Sequence, residues 1–352
     1  MKLILLLSCL SLLLATVARA NDEYSQLTRH VVDELTLPSI NKFAEALPGL
    51  ASATEAYCAD STLSRHLEYV REFHSVMDAW QAAQIYTFGP VVRKGRYSRI
   101  HFWPGRSGAT ARYLRKTLKK KPMELTDATE IGKKSVAIHS LVAYESFMFG
   151  KSEVDPYICR VGVAIARFQT SMIETILDEW EGTHGFRQEI LSPLPDGIVY
   201  RSSKDSANDI MAAFFGGLEN ITRLKLRRPL GKSIESAKPR RFENWRSGRS
   251  KRNIDINLRA LETLYNSTFG LGALLRRRGG AVIDDQIRNK LTRAIDRLKT
   301  IPGPLHVTIE DPQVWNELDR LHRGIVKLQK IISGEAAPKL GLVIGFNSLD
   351  GD

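Results

Sequence analysis

Apolar side chains recur every three or four positions through six long stretches of this chain, and that period restricts what it can fold into more than any other feature. Leu63, Leu67, Val70, Phe73, Met77, Trp80 and Gln84 fall on one face of a helix. The same spacing returns at Ile158, Val161, Ile165, Phe168, Met172, Ile176 and Trp180, and at Ile210, Phe214, Leu218, Ile221 and Leu224. Three further stripes run from Ile254 to Phe269, from Val282 to Leu298 and from Val314 to Ile332. No stretch alternates with period two for long enough to require a sheet, so the spacing predicts an all-α fold with stripes suited to antiparallel bundles. Turn chemistry separates the stripes at Phe88-Gly89-Pro90, Trp103-Pro104-Gly105, Ser192-Pro193 with Pro195-Asp196-Gly197, Arg228-Pro229 with Gly231, and Gly279-Gly280. The loop around 185–205 is the natural domain boundary, predicting an N-terminal helical bundle over 21–190 and a C-terminal one over 205–352, each large enough for its own core.

The first twenty residues read differently. Lys2, an apolar run from Leu3 to Val17 and the small-x-small triplet Ala18-Arg19-Ala20 form a secretory signal, with cleavage expected after Ala20 and a mature chain in the bacterial periplasm. A lipoprotein reading would acylate Cys9, after Leu6-Leu7-Ser8, but leaves a very short apolar region before the acylated residue. No later segment is apolar for long enough to span a bilayer. Removing the leader takes away Lys2 and Arg19 and lowers the formal net charge from +12 to +10. Two cysteines remain, Cys58 and Cys159. An oxidising compartment favours one disulfide between them, with buried free thiols as the alternative. No Cys-x-x-Cys occurs, so zinc-ribbon, thioredoxin and haem-attachment chemistry find no support.

Several segments are more unusual than a bundle needs: Trp80-Gln81-Ala82-Ala83-Gln84 with Phe88-Gly89-Pro90, Arg99-Ile100-His101-Phe102-Trp103-Pro104, Glu243 to Ser250, and the tail Gly345 to Asp352. With Lys225-Leu226-x-x-Pro229-Leu230-Gly231 and Asn253-Ile254-x-x-Asn257-Leu258, this ordered set resembles the imelysin family across nearly the whole mature chain. The resemblance implies an exported helical protein of the bacterial envelope, linked to iron uptake, with two bundles around a central cleft. It also implies a Gly-x-His-x-x-Glu helix that holds a metal, iron or another divalent ion. The matching stretch here is Ser140-Leu141-Val142-Ala143-Tyr144-Glu145, in which only the glutamate is kept and Val142 stands where the family has histidine. His139 precedes Glu145 by six residues, about 240° around a continuous helix, so it cannot serve as the missing ligand on the same face.

The cleft candidates are Glu145, Glu243, Arg246, Ser247, Ser250, Trp80 and Trp103, with Glu145 also the one metal-ligand candidate. Glu145 sits among apolar neighbours, where a carboxylate is either paired or functional, unless it points to solvent. If a helix begins at Glu243, then Glu243, Arg246, Ser247 and Ser250 share a face, and Arg246 is suited to a carboxylate or phosphate. The structural alternative makes Ser247 a helix cap and Glu243 with Arg246 an ion pair. Trp80, Gln84, Phe102 and Trp103 either line the cleft or fill the core. Asn347, Asp350 and Asp352 offer oxygen ligands for a hard cation or simply form a turn.

Basic runs at Arg112–Lys121, Arg223–Arg228, Arg240–Arg252 and Arg276–Arg278 carry few interleaved aromatics, which favours a solvated basic face over a nucleic-acid groove. The partners in view are an anionic ligand, an acidic envelope protein or anionic lipid. Three functions remain open: a non-catalytic periplasmic binding protein in iron or metal acquisition, a metal-dependent peptidase of the imelysin type, and an envelope scaffold with a basic docking surface. No His-Glu-x-x-His and no Gly-x-Ser-x-Gly occurs, which weighs against hydrolysis.

Overall fold

A computed structural model describes residues 22–105, 109–149 and 155–345. The leader at 1–20, Cys9 and the tail residues Asn347, Asp350 and Asp352 lie outside the described residues. Within them every regular element is helical and no strand occurs.

Eight helices carry most of the architecture: α1 (Leu37–Ala59), α2 (Leu63–Ala83), α3 (Leu141–Met148), α4 (Pro156–Glu181), α5 (Ser203–Glu219), α6 (Ser250–Asn266), α7 (Ala281–Thr300) and α8 (Pro312–Ile331). Their starts follow cap chemistry. The Thr62 hydroxyl accepts from the Arg65 amide before α2, and Asp155 and Asp311 accept the second-position amides ahead of Pro156 and Pro312. Ser202 and Asp205 form a reciprocal capping box that starts α5. These short polar side chains satisfy amides that a helix leaves without an internal acceptor.

Helices α1, α2 and α4 pack together, while α6 contacts both α5 and α7, and α7 contacts α8. Helix α6 also packs on α2, and the buried apolar side chains form one cluster with members on both sides of the 190–205 loop. Five of the predicted stripes lie buried along most of their length, but Phe269 and Val282, at the ends of two of them, are 40% and 72% exposed. In α2 the buried face begins only at Tyr69; Leu63 and Leu67 are 74% and 59% exposed. The sequence reading found no stripe in α1, although Leu37, Ile40, Phe43, Leu47, Leu50 and Tyr57 are buried there at helical spacing. The signal was present in the sequence, with Pro48 accommodated in mid-helix.

Cys58, at the end of α1, is disulfide-bonded to Cys159, at the start of α4. The bond closes a loop of 101 residues, for which chain-entropy reasoning gives a stabilisation of about 4–5 kcal/mol. Gly89, in the turn after α2, has φ +75°, and a Cβ there would come within 3 Å of the Trp180 and Phe186 rings. Only glycine meets both conditions.

Candidate functional site

Helix α3 does not continue from the segment carrying His139. That residue ends a separate short helix, Val136–His139, and Ser140 breaks the chain with extended backbone while its hydroxyl caps the next helix at the Ala143 amide. The angular argument from one continuous helix therefore does not apply. His139 is fully buried, not on a polar face; its Nδ1 lies 3.2 Å from the Ile131 carbonyl and its ring is 4.7 Å from Phe168. Burial lowers its pKa to about 4, so the ring is neutral near pH 7.

Glu145 points out of α3 into the loop that precedes α6 and is buried to 1% exposure. Its Oε1 accepts from the Ser247 amide at 2.9 Å and the Ser247 hydroxyl at 2.6 Å, while Oε2 accepts from Asn244 Nδ2 at 3.0 Å. Burial raises this carboxyl above its ordinary pKa, opposed by those donors and by Arg246. The Ser247 hydroxyl also lies 3.2 Å from the Asn244 carbonyl, so it can turn there when Glu145 is protonated.

The loop itself departs from the sequence expectation. No helix begins at Glu243: Asn244 takes φ +48° and Gly248 φ +71°, and α6 starts only at Ser250. Two left-handed residues interrupt any helical run, and Asn is among the few side chains that tolerate this conformation. Ser247 bonds Glu145 instead of capping α6, and Ser250 donates to the Glu243 carbonyl at 2.7 Å. Glu243 does not pair with Arg246. It pairs with Lys225, whose Nζ is 2.7 Å from Glu243 Oε2 and 2.7 Å from Gln81 Oε1.

That ion pair lies at the centre of a buried polar network. Asn253 Nδ2 donates to Glu243 Oε2 at 2.8 Å and to Asn244 Oδ1 at 2.9 Å, and His101 Nε2 reaches the same Asn244 oxygen at 3.4 Å. Asn257 donates to the Gln81 carbonyl, Gln84 to Gln81 Oε1, and Tyr97 to Gln84. Burial by itself would raise the Glu243 carboxyl, yet Lys225 and His101 hold it below its ordinary value. Burial lowers the Lys225 ammonium, with Glu243 opposing, and lowers His101 to about 4. Lys225 lies in a π-helical stretch, Asn220–Arg227, that continues α5; such stretches are frequent at functional sites. A second polar contact links α2 to the segment before α6, where the buried Arg249 guanidinium bonds His74 Nδ1 at 2.8 Å and pairs with Asp78.

Outward of Glu145 lies a cavity of about 190 Å³. Val142 and Ala143 form one wall, Phe102 and Trp103 another, and Phe242, Asn244, Trp245 and Arg246 the third. Arg228, Arg240 and Arg241 also line it, as do Leu114, Ser140 and Ser146. Of the sequence candidates, Glu145, Trp103 and Arg246 line this cavity, and Ser247 bonds one of its walls. Glu243 and Ser250 support it from the buried network behind. Trp80 does not reach it; the indole packs in the core at 5.3 Å from both Phe43 and Tyr97. The sequence reading named Lys225, Asn244 and Asn253 only as parts of motifs, and Arg228, Arg240 and Arg241 only within basic runs, none of them as a cleft candidate. A lysine at the end of an apolar stripe and an asparagine inside a motif were the available signals.

The metal that the Gly-x-His-x-x-Glu resemblance implies does not fit these residues. Both Glu145 oxygens are occupied by protein donors, Val142 supplies no ligand, and the adjacent charges are arginines. Among the described residues no group of three or more His, Cys, Asp and Glu side chains is placed to hold an ion.

The sequence matches the imelysin family over residues 36–332. A crystal structure of an imelysin-like protein from Psychrobacter arcticum superposes with a TM-score of 0.79 at 16% identity, covering 93% of this chain and 98% of that one. A putative iron-regulated protein A precursor from Parabacteroides distasonis gives 0.72 at 12% identity, covering 91% and 95%. A search among curated proteins found no match.

Proposed function

The chain belongs to the imelysin family, and from that premise we propose that it is a non-catalytic, periplasmic binding protein that serves iron or metal acquisition by holding a ligand, metal complex or partner at the cavity beside Glu145. The observation that carries this reading is the state of Glu145. Its oxygens meet three donors from the 244–247 loop, so the carboxylate ties that loop to α3 and is not free to polarise water or bind an ion. Hydrolysis through a metal needs open coordination positions and about three protein ligands, and Val142 removes one that the family motif would supply. The iron connection rests on the family resemblance and on the iron-regulated name carried by one structural neighbour. In this reading the cavity lies between a bundle over 21–190 and a second over 205–352, after removal of residues 1–20.

Metal analysis of the mature chain, purified without a chelating tag, tests the reading together with an unfolded-protein cleavage assay. We expect well under one equivalent of metal, unchanged in Glu145→Gln, no cleavage, and several-fold higher abundance in the chain's native cells under iron starvation. One equivalent of metal lost in Glu145→Gln, or cleavage lost in the same variant, would replace it with the peptidase reading.

A further inference from the structure

Four arginines line the cavity beside Glu145: Arg228, Arg240, Arg241 and Arg246. Arginines elsewhere in the same basic runs have carboxylate partners: Arg227 pairs with Asp319, Arg249 and Arg252 with Asp78, Arg276 with Asp284 and Arg278 with Glu23. The basic runs are therefore not a uniform solvated face. Among the described residues, none of the four at the cavity has a carboxylate within ion-pair distance. The one acid on the wall, Glu145, already meets three donors.

Like charges gathered together repel. Burial lowers the pKa of Arg228 and Arg241 lowers it further; burial also lowers that of Arg246, where Glu145 opposes the shift and Arg240 adds to it. The fold nonetheless orients this cluster. The Arg246 and Arg240 guanidinium carbons lie 4.5 and 5.6 Å from the centre of the same Trp245 ring, and such stacking fixes planar groups that bind carboxylate or phosphate through two parallel hydrogen bonds. Between the arginines the walls are apolar, formed by Phe102, Val142, Phe242 and Trp245. A volume of about 190 Å³ is single-ring size, since an apolar protein cavity of about 150 Å³ holds benzene.

We propose that this cavity binds an organic oxyanion, a single-ring apolar body carrying one carboxylate or phosphate, with Arg228, Arg240, Arg241 and Arg246 meeting the charge and the walls at Val142 and Trp245 holding the ring. The proposal rests on the reading of the chain as a binding protein and names the class of ligand that reading leaves open. Val142 contributes directly: the family's histidine there would put a polar, ionisable ring against the ligand, whereas valine leaves an apolar wall.

Titration of the mature chain with benzoate, phenyl phosphate, inorganic phosphate and benzyl alcohol, followed by calorimetry and by indole fluorescence, tests it. Benzoate or phenyl phosphate should bind one to one, and which of them is tighter identifies the headgroup as carboxylate or phosphate. Inorganic phosphate and benzyl alcohol should each bind at least tenfold more weakly. The double variant Arg240→Gln/Arg246→Gln should weaken the aryl anion at least tenfold; both side chains reach solvent, so it should fold normally, as circular dichroism will verify. Absence of binding by both aryl anions, equal binding of benzyl alcohol, equal binding of inorganic phosphate, or an unaffected double variant would each overturn the proposal. Metal content and cleavage decide the functional reading, so the two can fail separately.

Discussion

Removing the Lys225 ammonium tests whether the buried network holds the site together. Lys225 and Glu243 are each about 2% exposed, and Lys225 donates at 2.7 Å to both Glu243 and Gln81. Lys225→Met keeps most of the side-chain volume and leaves the Glu243 carboxylate buried with only amide donors from Asn253 and Gln81. Stranding one member of a buried ion pair costs about 3–5 kcal/mol. Glu243→Gln should cost a similar amount by stranding the ammonium. Lys225→Met/Glu243→Gln removes both charges and loses mainly hydrogen bonds, roughly 1–2 kcal/mol in all. The double variant should therefore be more stable than either single one, with a coupling energy of at least about 4 kcal/mol, larger than contacting residues usually show. Urea unfolding followed by circular dichroism at pH 7, disulfide intact, measures all three. In a thermal melt each single variant should fall by roughly 5–15 °C. The pH dependence gives a second readout. Because the folded-state pKa of Glu243 is depressed, its contribution is present above the ordinary carboxylate pKa and is lost as pH falls through the lower folded value. Wild type should lose stability more steeply than the double variant on acidification below the ordinary carboxylate pKa. A single-variant cost under 1 kcal/mol, or a double-variant cost equal to the sum of the two, would refute the reasoning.

Glu145→Gln should destabilise by about 1–3 kcal/mol, because its amide NH₂ must face the Asn244 or Ser247 donors. The Glu145 pKa is raised in the fold, so wild type loses its contribution as pH rises, and unfolding at pH 4 and pH 7 should show the larger deficit of the variant at pH 4. Asn244→Ala loses the bonds to Glu145 and Asn253 and puts alanine at φ +48°, so it should cost more than Asn244→Gly by about 1 kcal/mol in urea unfolding. Cys58→Ser/Cys159→Ser should lower stability by about 2–5 kcal/mol, measured against the oxidised wild type.

The helical fold was legible because its signal is local. In α4 the stripe Ile158, Val161, Ile165, Met172, Ile176 and Trp180 is buried as the 3.6-residue period requires. The period says which face is apolar but not whether a partner covers it, which is why Leu63 and Leu67 read as core and are exposed. The stripe Ile40, Phe43, Leu47, Leu50 and Tyr57 in α1 carries the same period and was legible too, although the sequence analysis did not name it. The Cys58–Cys159 pairing followed from having only two candidates in an expected oxidising compartment, with no geometric information needed.

The site was legible as a set of residues and not as an arrangement. Glu145, Trp103 and Arg246 converge on one cavity although about one hundred positions separate Glu145 from Arg246, a proximity no local pattern encodes. Helical spacing assigned Glu243 to the same face as Arg246, but Asn244 and Gly248 turn the loop so that Glu243 points inward to Lys225 while Arg246 lines the cavity. The turn that runs up to Ser250 therefore places the two charges in different surroundings. Val142 was legible as an apolar side chain three residues before Glu145; its surroundings were not. Only the packed structure brings that valine onto the same cavity as four arginines without carboxylate partners among the described residues. An apolar position on α3 then becomes part of the wall of a site whose remaining charge is cationic.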